Sequence, residues 1–171
     1  MTAKNIKIGH LNCHSIRNKL CDIINLINSE ELDILCLNET FLKPSDTHLN
    51  SITGYNIIRN DRSHKKGGGV AIIIKKHIKY KIIHKISTTS TEYITIQLTN
   101  SPNNLNLSSV YTHPQSQSNL EFINQLAIGN SIILGDFNAH NSKWHSSHNN
   151  TLGNNLATMI DRNNLDIIND A

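Results

Sequence analysis

The sequence has few cysteines, few aromatic residues and no long apolar run. Its three cysteines, Cys13, Cys21 and Cys36, are odd in number and lack C-x-x-C spacing, so we predict neither a disulfide framework nor a zinc ribbon. The longest apolar runs, such as residues 70–74, are far shorter than the roughly 20 residues that cross a bilayer. The first residues lack the apolar stretch of a signal peptide. We therefore expect an intracellular protein with no membrane partner.

The rest of the composition is typical of one folded domain. The chain has 171 residues, of which 37% are apolar, and this is enough to fill a core. Only 17% of the residues are charged, and 16 Lys and Arg against 13 Asp and Glu give a net charge of +3. This balance excludes a chain that is kept unfolded throughout by charge repulsion.

Short apolar runs alternate with a few helical patterns, as in layered α/β or α+β domains. We predict an N-cap at Ser15 for a helix that ends near residue 28. Further helices are predicted at residues 120–126 and 152–162. Strands are predicted at residues 6–12, 33–37, 55–59, 70–75, 81–86, 93–98, 105–111, 131–134 and 165–168, with the five between 55 and 111 forming a β meander.

Positive charge is concentrated in one part of the chain. Nine of the 16 Lys and Arg lie between Arg59 and Lys85, opposed only by Asp61. Clustered cations attract nucleic-acid backbones without regard to sequence. Lysines also protect the exposed edge strand of an ordinary solvated hairpin. The pattern alone leaves both interpretations open.

Two acidic residues follow apolar strands instead of lying on a polar face. Glu39 and Asp136 each end such a strand, and strand ends are common positions for catalytic groups in layered folds. Carboxylates placed there, with Asn12 at the end of the first strand, could bind Mg²⁺, which prefers one or two carboxylates plus waters and substrate phosphates. The alternative is that both acids only cap the following turns.

The segment Gly135-Asp136-Phe137-Asn138 carries two polar side chains that are two residues apart on one side. Gly135 would permit a tight turn after the buried strand. Of Asp136 and Asn138, one could orient a water molecule while the other donates to a phosphoryl oxygen. The alternative is an Asx-type turn that satisfies local backbone groups.

Five segments, in order along nearly the whole chain, resemble the endonuclease/exonuclease/phosphatase superfamily, and more closely the apurinic-type endonuclease domain of non-LTR retrotransposons. The matching segments are Leu11-Asn12-Cys13-His14-Ser15-Ile16, Leu32 to Thr40, Arg59-Asn60-Asp61-Arg62 with Gly67-Gly68-Gly69-Val70-Ala71-Ile72, Val110-Tyr111 with Pro114, and Gly135 to His140 with Trp144.

This resemblance implies an α+β fold, a four-layer α/β sandwich of two packed sheets flanked by helices. It implies Mg²⁺-dependent hydrolysis of a DNA phosphodiester, here strand nicking that primes reverse transcription in the nucleus, with a reverse transcriptase domain as a possible partner. By resemblance, Glu39 and Asn12 hold the metal and Asp136 orients or deprotonates the attacking water. Asn138 then binds the developing phosphorane, and Tyr111 lies near the scissile phosphate.

One departure from the family is expected to matter. Family members continue with further strands and a Ser-Asp-His motif, whereas none of the ten histidines here follows an Asp. We therefore expect residues 1–171 to form a domain that lacks these C-terminal strands, with an unpaired sheet edge and impaired activity. Two alternatives are an inactive fragment that at most binds nucleic acid, and hydrolysis of a phosphoinositide or sphingolipid headgroup.

Overall fold

The alternating and apolar segments form the strands of two sheets in a computed structural model that describes residues 5–47, 51–62, 67–99, 104–114 and 120–169. The elements are β1 (Ile8–Asn12), α1 (Leu20–Ser29), β2 (Ile34–Asn38), β3 (Tyr55–Asn60), β4 (Val70–Lys75), β5 (Tyr80–Ser87), β6 (Thr91–Leu98), β7 (Leu105–Thr112), α2 (Phe122–Leu126), β8 (Ser131–Asp136) and α3 (Thr151–Arg162). A short 3₁₀ helix, Ser142–Trp144, precedes α3.

Within the described residues, each sheet has four strands and contains one parallel pair. The first sheet has the order β1-β2-β4-β3, and the second has the order β5-β6-β7-β8. β1 runs parallel to β2, and β7 runs parallel to β8, while the other neighbours are antiparallel. Each sheet therefore presents the carboxyl ends of two neighbouring strands at one edge.

The core lies between the sheets and continues outward beneath the helices. Ile72, Ile94 and Ile96 are fully buried in the cluster that joins the two sheets. On the outer face of the first sheet, Ile23 and Ile27 of α1 are buried in a second cluster. α2 and α3 cover the outer face of the second sheet. This arrangement confirms the predicted four-layer sandwich. None of the helices in the described ranges is long and apolar enough to cross a membrane.

The first helix begins later than predicted, because Ser15 does not cap it. Ser15 and His14 have left-handed backbone angles, with φ of 80° and 40°. The backbone N–H groups of Ser15 and Ile16 donate to the carbonyls of Glu39 and Thr40, at 2.8 and 3.1 Å. These bonds continue the pairing of β1 with β2, so the helix begins only at Leu20.

Two further predictions of strand arrangement were wrong. The strands between 55 and 111 do not form one meander, since β3 and β4 belong to the first sheet and β5, β6 and β7 to the second. β4 is buried along most of its length because it lies in a sheet covered on both faces. Residues 165–168 form no strand, and Ile168 at their end is 72% exposed.

Truncating the core between the sheets should destabilise the fold far more than truncating the edge strand. Ile94→Ala should lower the free energy of unfolding by about 2–5 kcal/mol, because it leaves a cavity in the fully buried cluster. Ile82→Ala on β5 removes the same atoms from a side chain that is 49% exposed, and should cost less than about 1 kcal/mol. Urea denaturation of both variants measures the difference, and equal losses would contradict this assignment of the core.

Candidate active site

The carboxyl ends of the two parallel strand pairs bring the predicted polar residues to one rim of the sandwich. Asn12 ends β1, and Glu39 directly follows β2. In the second sheet, Tyr111 pairs in register with Asp136, the last residue of β8. Side chains from four strands of both sheets therefore meet at this rim, as expected for strand ends in layered folds.

The side chain of Asn12 connects the two carboxylates. Its Nδ2 donates to Oε1 of Glu39 at 2.8 Å and to Oδ2 of Asp136 at 2.7 Å. The two acidic groups thus lie within two hydrogen-bond lengths of each other, although they belong to different sheets. On the outer side, Nδ1 of the exposed His14 lies 3.1 Å from the other Glu39 oxygen.

The backbone around the site adopts left-handed angles at residues other than glycine. Glu39 has a φ of 53°, and Asn138 has a φ of 49°. Such angles are uncommon outside glycine and are found where the surrounding structure enforces them. Here the residues after Glu39 are held by backbone bonds, since Thr40 N–H donates to the carbonyl of Gly69 at 3.2 Å. The orientation of the Glu39 side chain is therefore set by its backbone.

The segment after β8 forms the Asx-type turn that the sequence left open as an alternative. Oδ1 of Asp136 accepts from the backbone N–H of Asn138 at 2.9 Å, which is an Asx-type turn. Nδ2 of Asn138 donates to the carbonyl of Thr112 at 2.8 Å, next to Tyr111. The local turn thus holds Asp136 at the rim and leaves its second carboxylate oxygen to Asn12.

Gly135 is needed for close packing and not for the predicted tight turn. It lies inside β8, and a Cβ built on it would overlap with the carbonyl of Val110 on β7. Any larger residue would push β8 away from β7. The glycine therefore fixes the depth at which Asp136 stands.

Tyr111 carries a neutral phenol beside the carboxylates. Burial raises the pKa of Tyr111 to about 12, and the nearby negative charge of Glu39 adds to the increase while Arg62 opposes it. Because this pKa is far above neutrality, Tyr111 is a hydrogen-bond donor at physiological pH.

The donor set at the rim consists of hard oxygen ligands. Glu39 and Asp136 supply carboxylates, whereas the amide of Asn12 turns its nitrogen toward both acids and accepts with its oxygen from the backbone N–H of His14 at 3.2 Å. Across the described parts of the chain, no group of three or more His, Cys, Asp or Glu side chains is arranged to hold a metal ion. Two carboxylates fit a cation that completes its coordination with waters and phosphate oxygens, and this is the preference of Mg²⁺.

Some described cations of the basic stretch lie on an edge strand, and others form ion pairs. Lys81 and Lys85 lie on β5, an edge strand of the second sheet, as edge protection predicts. Lys65 and Lys66 lie outside the described residues. Three others form ion pairs with these nitrogen–oxygen distances: Arg59 with Asp61 at 2.7 Å, Arg62 with Glu92 at 2.5 Å, and Lys75 with Asp33 at 2.8 Å. Three of the nine cations of this stretch are therefore paired within the fold.

The ion pair of Arg62 with Glu92 was not predicted from the sequence, and it explains part of the glycine triplet. Both side chains are buried, with 4% and 0% of their surface exposed. Glu92 also accepts from the backbone N–H of Gly69 at 2.6 Å, and a Cβ on Gly68 would overlap with the guanidinium. The guanidinium carbon lies 5.8 Å from the ring centroid of Tyr111. The glycines thus make room for a buried arginine next to the site.

Asn38 is the second residue that the sequence did not single out. It is fully buried at the end of β2, and its side-chain oxygen accepts from the backbone N–H of Asp136 at 2.8 Å. An amide among the 25 asparagines of this chain carries no distinguishing pattern. Only its position directly before Glu39 could have drawn attention to it.

The chain belongs to the endonuclease/exonuclease/phosphatase family, whose sequence profile matches residues 9–168. Members of this family are hydrolases, nucleases and phosphatases among them, and they generally use divalent metal ions. No sequence among the curated proteins matches the chain significantly.

Solved structures share the fold at low sequence identity. The endonuclease domain of TRAS1, a telomere-specific non-LTR retrotransposon, matches with a TM-score of 0.77 and 18% identity, over 97% of this chain and 76% of that one. The AP endonuclease LMAP from Leishmania major matches with a TM-score of 0.67 and 15% identity, over 93% of this chain and 67% of that one. The 3′ phosphatase NExo from Neisseria, bound to product DNA hairpin, matches with a TM-score of 0.63 and 16% identity, over 92% of this chain and 71% of that one.

Replacing the bridging amide with a third carboxylate should make folding depend on a divalent cation. In EDTA, Asn12→Asp should lower the free energy of unfolding by roughly 1–3 kcal/mol, because two charged acceptors lose their donor and gain a like charge. Millimolar Mg²⁺ should recover most of this loss. Thermal melts with and without Mg²⁺ measure the effect, with Asn141→Asp as a control away from the rim. A loss of stability that Mg²⁺ does not recover would contradict the prediction that these side chains hold a divalent cation.

Proposed function

We propose that this chain is a Mg²⁺-dependent DNA endonuclease that nicks one strand, as the endonuclease of a non-LTR retrotransposon. The observation that carries the proposal is the convergence of Glu39 and Asp136 on the amide of Asn12 at the rim. The family match and the fold shared with a retrotransposon endonuclease support this choice of reaction. The nick would expose a 3′-hydroxyl for a reverse transcriptase, which places the protein in the nucleus.

DNA is the proposed substrate for reasons of likeness and charge. One structural neighbour is bound to a DNA product, and two others are endonucleases by name. The net charge of +3, together with Lys81 and Lys85 on the β5 edge, would attract a polyanion. Glu39 and Asp136 are only partly buried, so a phosphate of the DNA backbone can reach them.

Each residue of the site has a distinct proposed role. Glu39 and Asn12 would hold the Mg²⁺ ion, which when bound supplies charge stabilisation for a phosphoryl group under attack. Asp136 would accept a proton from the attacking water, since its carboxylate is fixed by Asn12 and by the turn to Asn138. Asn138 has a second amide hydrogen, and Tyr111 a phenolic one, that can donate to phosphoryl oxygens as negative charge develops.

Supercoiled plasmid provides a direct test of the reaction. Wild-type protein with Mg²⁺ should convert it to the open circular form, and EDTA should stop the conversion. Asp136→Ala should lower the rate by about 10²- to 10⁴-fold, the usual contribution of a general base. Glu30→Gln, which removes an exposed acid on the opposite side of the first sheet, is the matched control and should retain full activity. Nicking that survives Asp136→Ala or EDTA would refute the mechanism.

The protonation state of Tyr111 predicts a specific pH dependence. With a pKa of about 12, the phenol stays protonated throughout the neutral range. Tyr111→Phe should therefore lower the nicking rate by the same factor at every pH from mildly acidic to mildly alkaline, and leave the shape of the pH–rate profile unchanged. Rates of both proteins in a series of buffers measure this. A wild-type rate that rises toward alkaline pH, with this rise absent in the variant, would show that Tyr111 acts as a base instead.

A second candidate is a domain that binds nucleic acid without cutting it, and the lysines Lys81 and Lys85 on the β5 edge favour it. A fragment that binds DNA, with affinity falling as salt rises, but does not nick would match this alternative.

A further inference from the structure

A buried polar residue stands directly between the two acidic residues of the site. Asn38 is the last residue of β2, precedes Glu39 in the chain, and has no exposed surface. Burying an amide between two sheets is unfavourable unless its groups find hydrogen-bond partners. The partners of Asn38 therefore show what this residue does.

The side chain of Asn38 bonds to the opposite sheet. Its Oδ1 accepts from the backbone N–H of Asp136 at 2.8 Å, and Nε2 of His10 lies 2.7 Å from the same oxygen. Its Nδ2 donates to Oγ of Ser109 on β7 at 3.4 Å. The shorter of the two bonds between the sheets is thus made to the backbone of the proposed general base and not to a side chain remote from the site.

The backbone of Asn38 holds a third part of the rim. Its carbonyl accepts from the N–H of Cys13 at 3.0 Å, directly after Asn12. One residue therefore contacts the chain next to Asn12, is covalently linked to Glu39, and bonds to Asp136. Asn38 therefore holds the main chain next to Asn12 and the main chain of Asp136, and it directly precedes Glu39.

We infer that Asn38 is a positioning residue for the proposed hydrolysis, whose side-chain oxygen sets where Asp136 stands relative to Glu39. The inference rests on the proposed function for its catalytic consequence. Apolar packing between sheets is non-directional, and so tolerates small shifts of one sheet over the other. Two carboxylates also repel, which would favour such a shift. A hydrogen bond to the main chain of Asp136 opposes it.

The matched comparison uses Asn38→Leu and Thr95→Val. Asn38→Leu keeps the size of the side chain and removes the acceptor. Thr95→Val removes one member of a buried hydroxyl pair, Thr95 Oγ1 with Ser108 Oγ at 2.9 Å, within the same sandwich but away from the rim. Thr95→Val loses one buried hydrogen bond, whereas Asn38→Leu loses its contacts to His10, Ser109 and the Asp136 N–H, and only Asn38→Leu affects Asp136.

Nicking kinetics separate positioning from general stability. Asn38→Leu should lower kcat by roughly tenfold to a hundredfold with KM for DNA changed less than about threefold, the usual effect of a small misplacement at a reacting centre. Thr95→Val should keep kcat, even under urea that brings its stability down to that of Asn38→Leu. Asn38→Gln retains an acceptor on a longer arm and should recover part of kcat. Equal kcat in Asn38→Leu and Thr95→Val would overturn the inference.

Amide hydrogen exchange tests the same contact without relying on catalysis. In wild-type protein the Asp136 amide should exchange slowly, and in Asn38→Leu its exchange should be faster by at least tenfold while the amides in the middle of β7 keep their rates. Thr95→Val should leave the Asp136 amide protected. Exchange that rises equally across both sheets in Asn38→Leu would overturn the inference. If wild-type protein fails to nick DNA, the proposed function fails, and this measurement still decides whether Asn38 holds Asp136.

Discussion

The amide nitrogen of Asn12 is the point on which the rim of this sandwich depends. Two carboxylates from different sheets repel each other when they are brought together, and a shared hydrogen-bond donor offsets that repulsion. Nδ2 of Asn12 donates to both Glu39 and Asp136 within 2.8 Å. The left-handed backbone at Glu39 places one oxygen beside this nitrogen, and the turn after Asp136 together with the glycine that lets β8 approach β7 places the other.

The two sheets are held together by different interactions in their middle and at their rim. In the middle, fully buried isoleucines supply most of the stabilisation, without fixing a direction. At the rim, directional contacts between buried polar groups take over. Asn38 reaches from β2 to Asp136, and the glycine segment before β4 is bound to Glu92 on β6. Apolar contacts are non-directional, so the polar contacts at the rim are what fix the position of Asp136 relative to β2.

The sequence allows prediction of residues whose type departs from the local apolar pattern. It does not distinguish residues whose type is common throughout the chain. Glu39 and Asp136 were found because each is an acid that ends an apolar strand. Asn38 could not be distinguished from the other asparagines, because its role depends on a partner nearly a hundred residues away. The start of α1 was misplaced since backbone pairing with residues 39–40 overrides the local capping preference of Ser15. The predicted strand at residues 165–168 has no partner strand among the described residues, and local apolar content could not reveal that.

The hydrogen bond from Asn12 to Asp136 joins residues that are 124 positions apart. Contacts over such separations form late in folding, because the entropic cost of closing the intervening loop must be met first. During synthesis, a ribosome-bound chain that has not yet reached Asp136 holds Glu39 and Asn12 without their counterpart. Incomplete translation products therefore cannot assemble the paired acids, and the two carboxylates meet at this rim only once the second sheet has closed over the first.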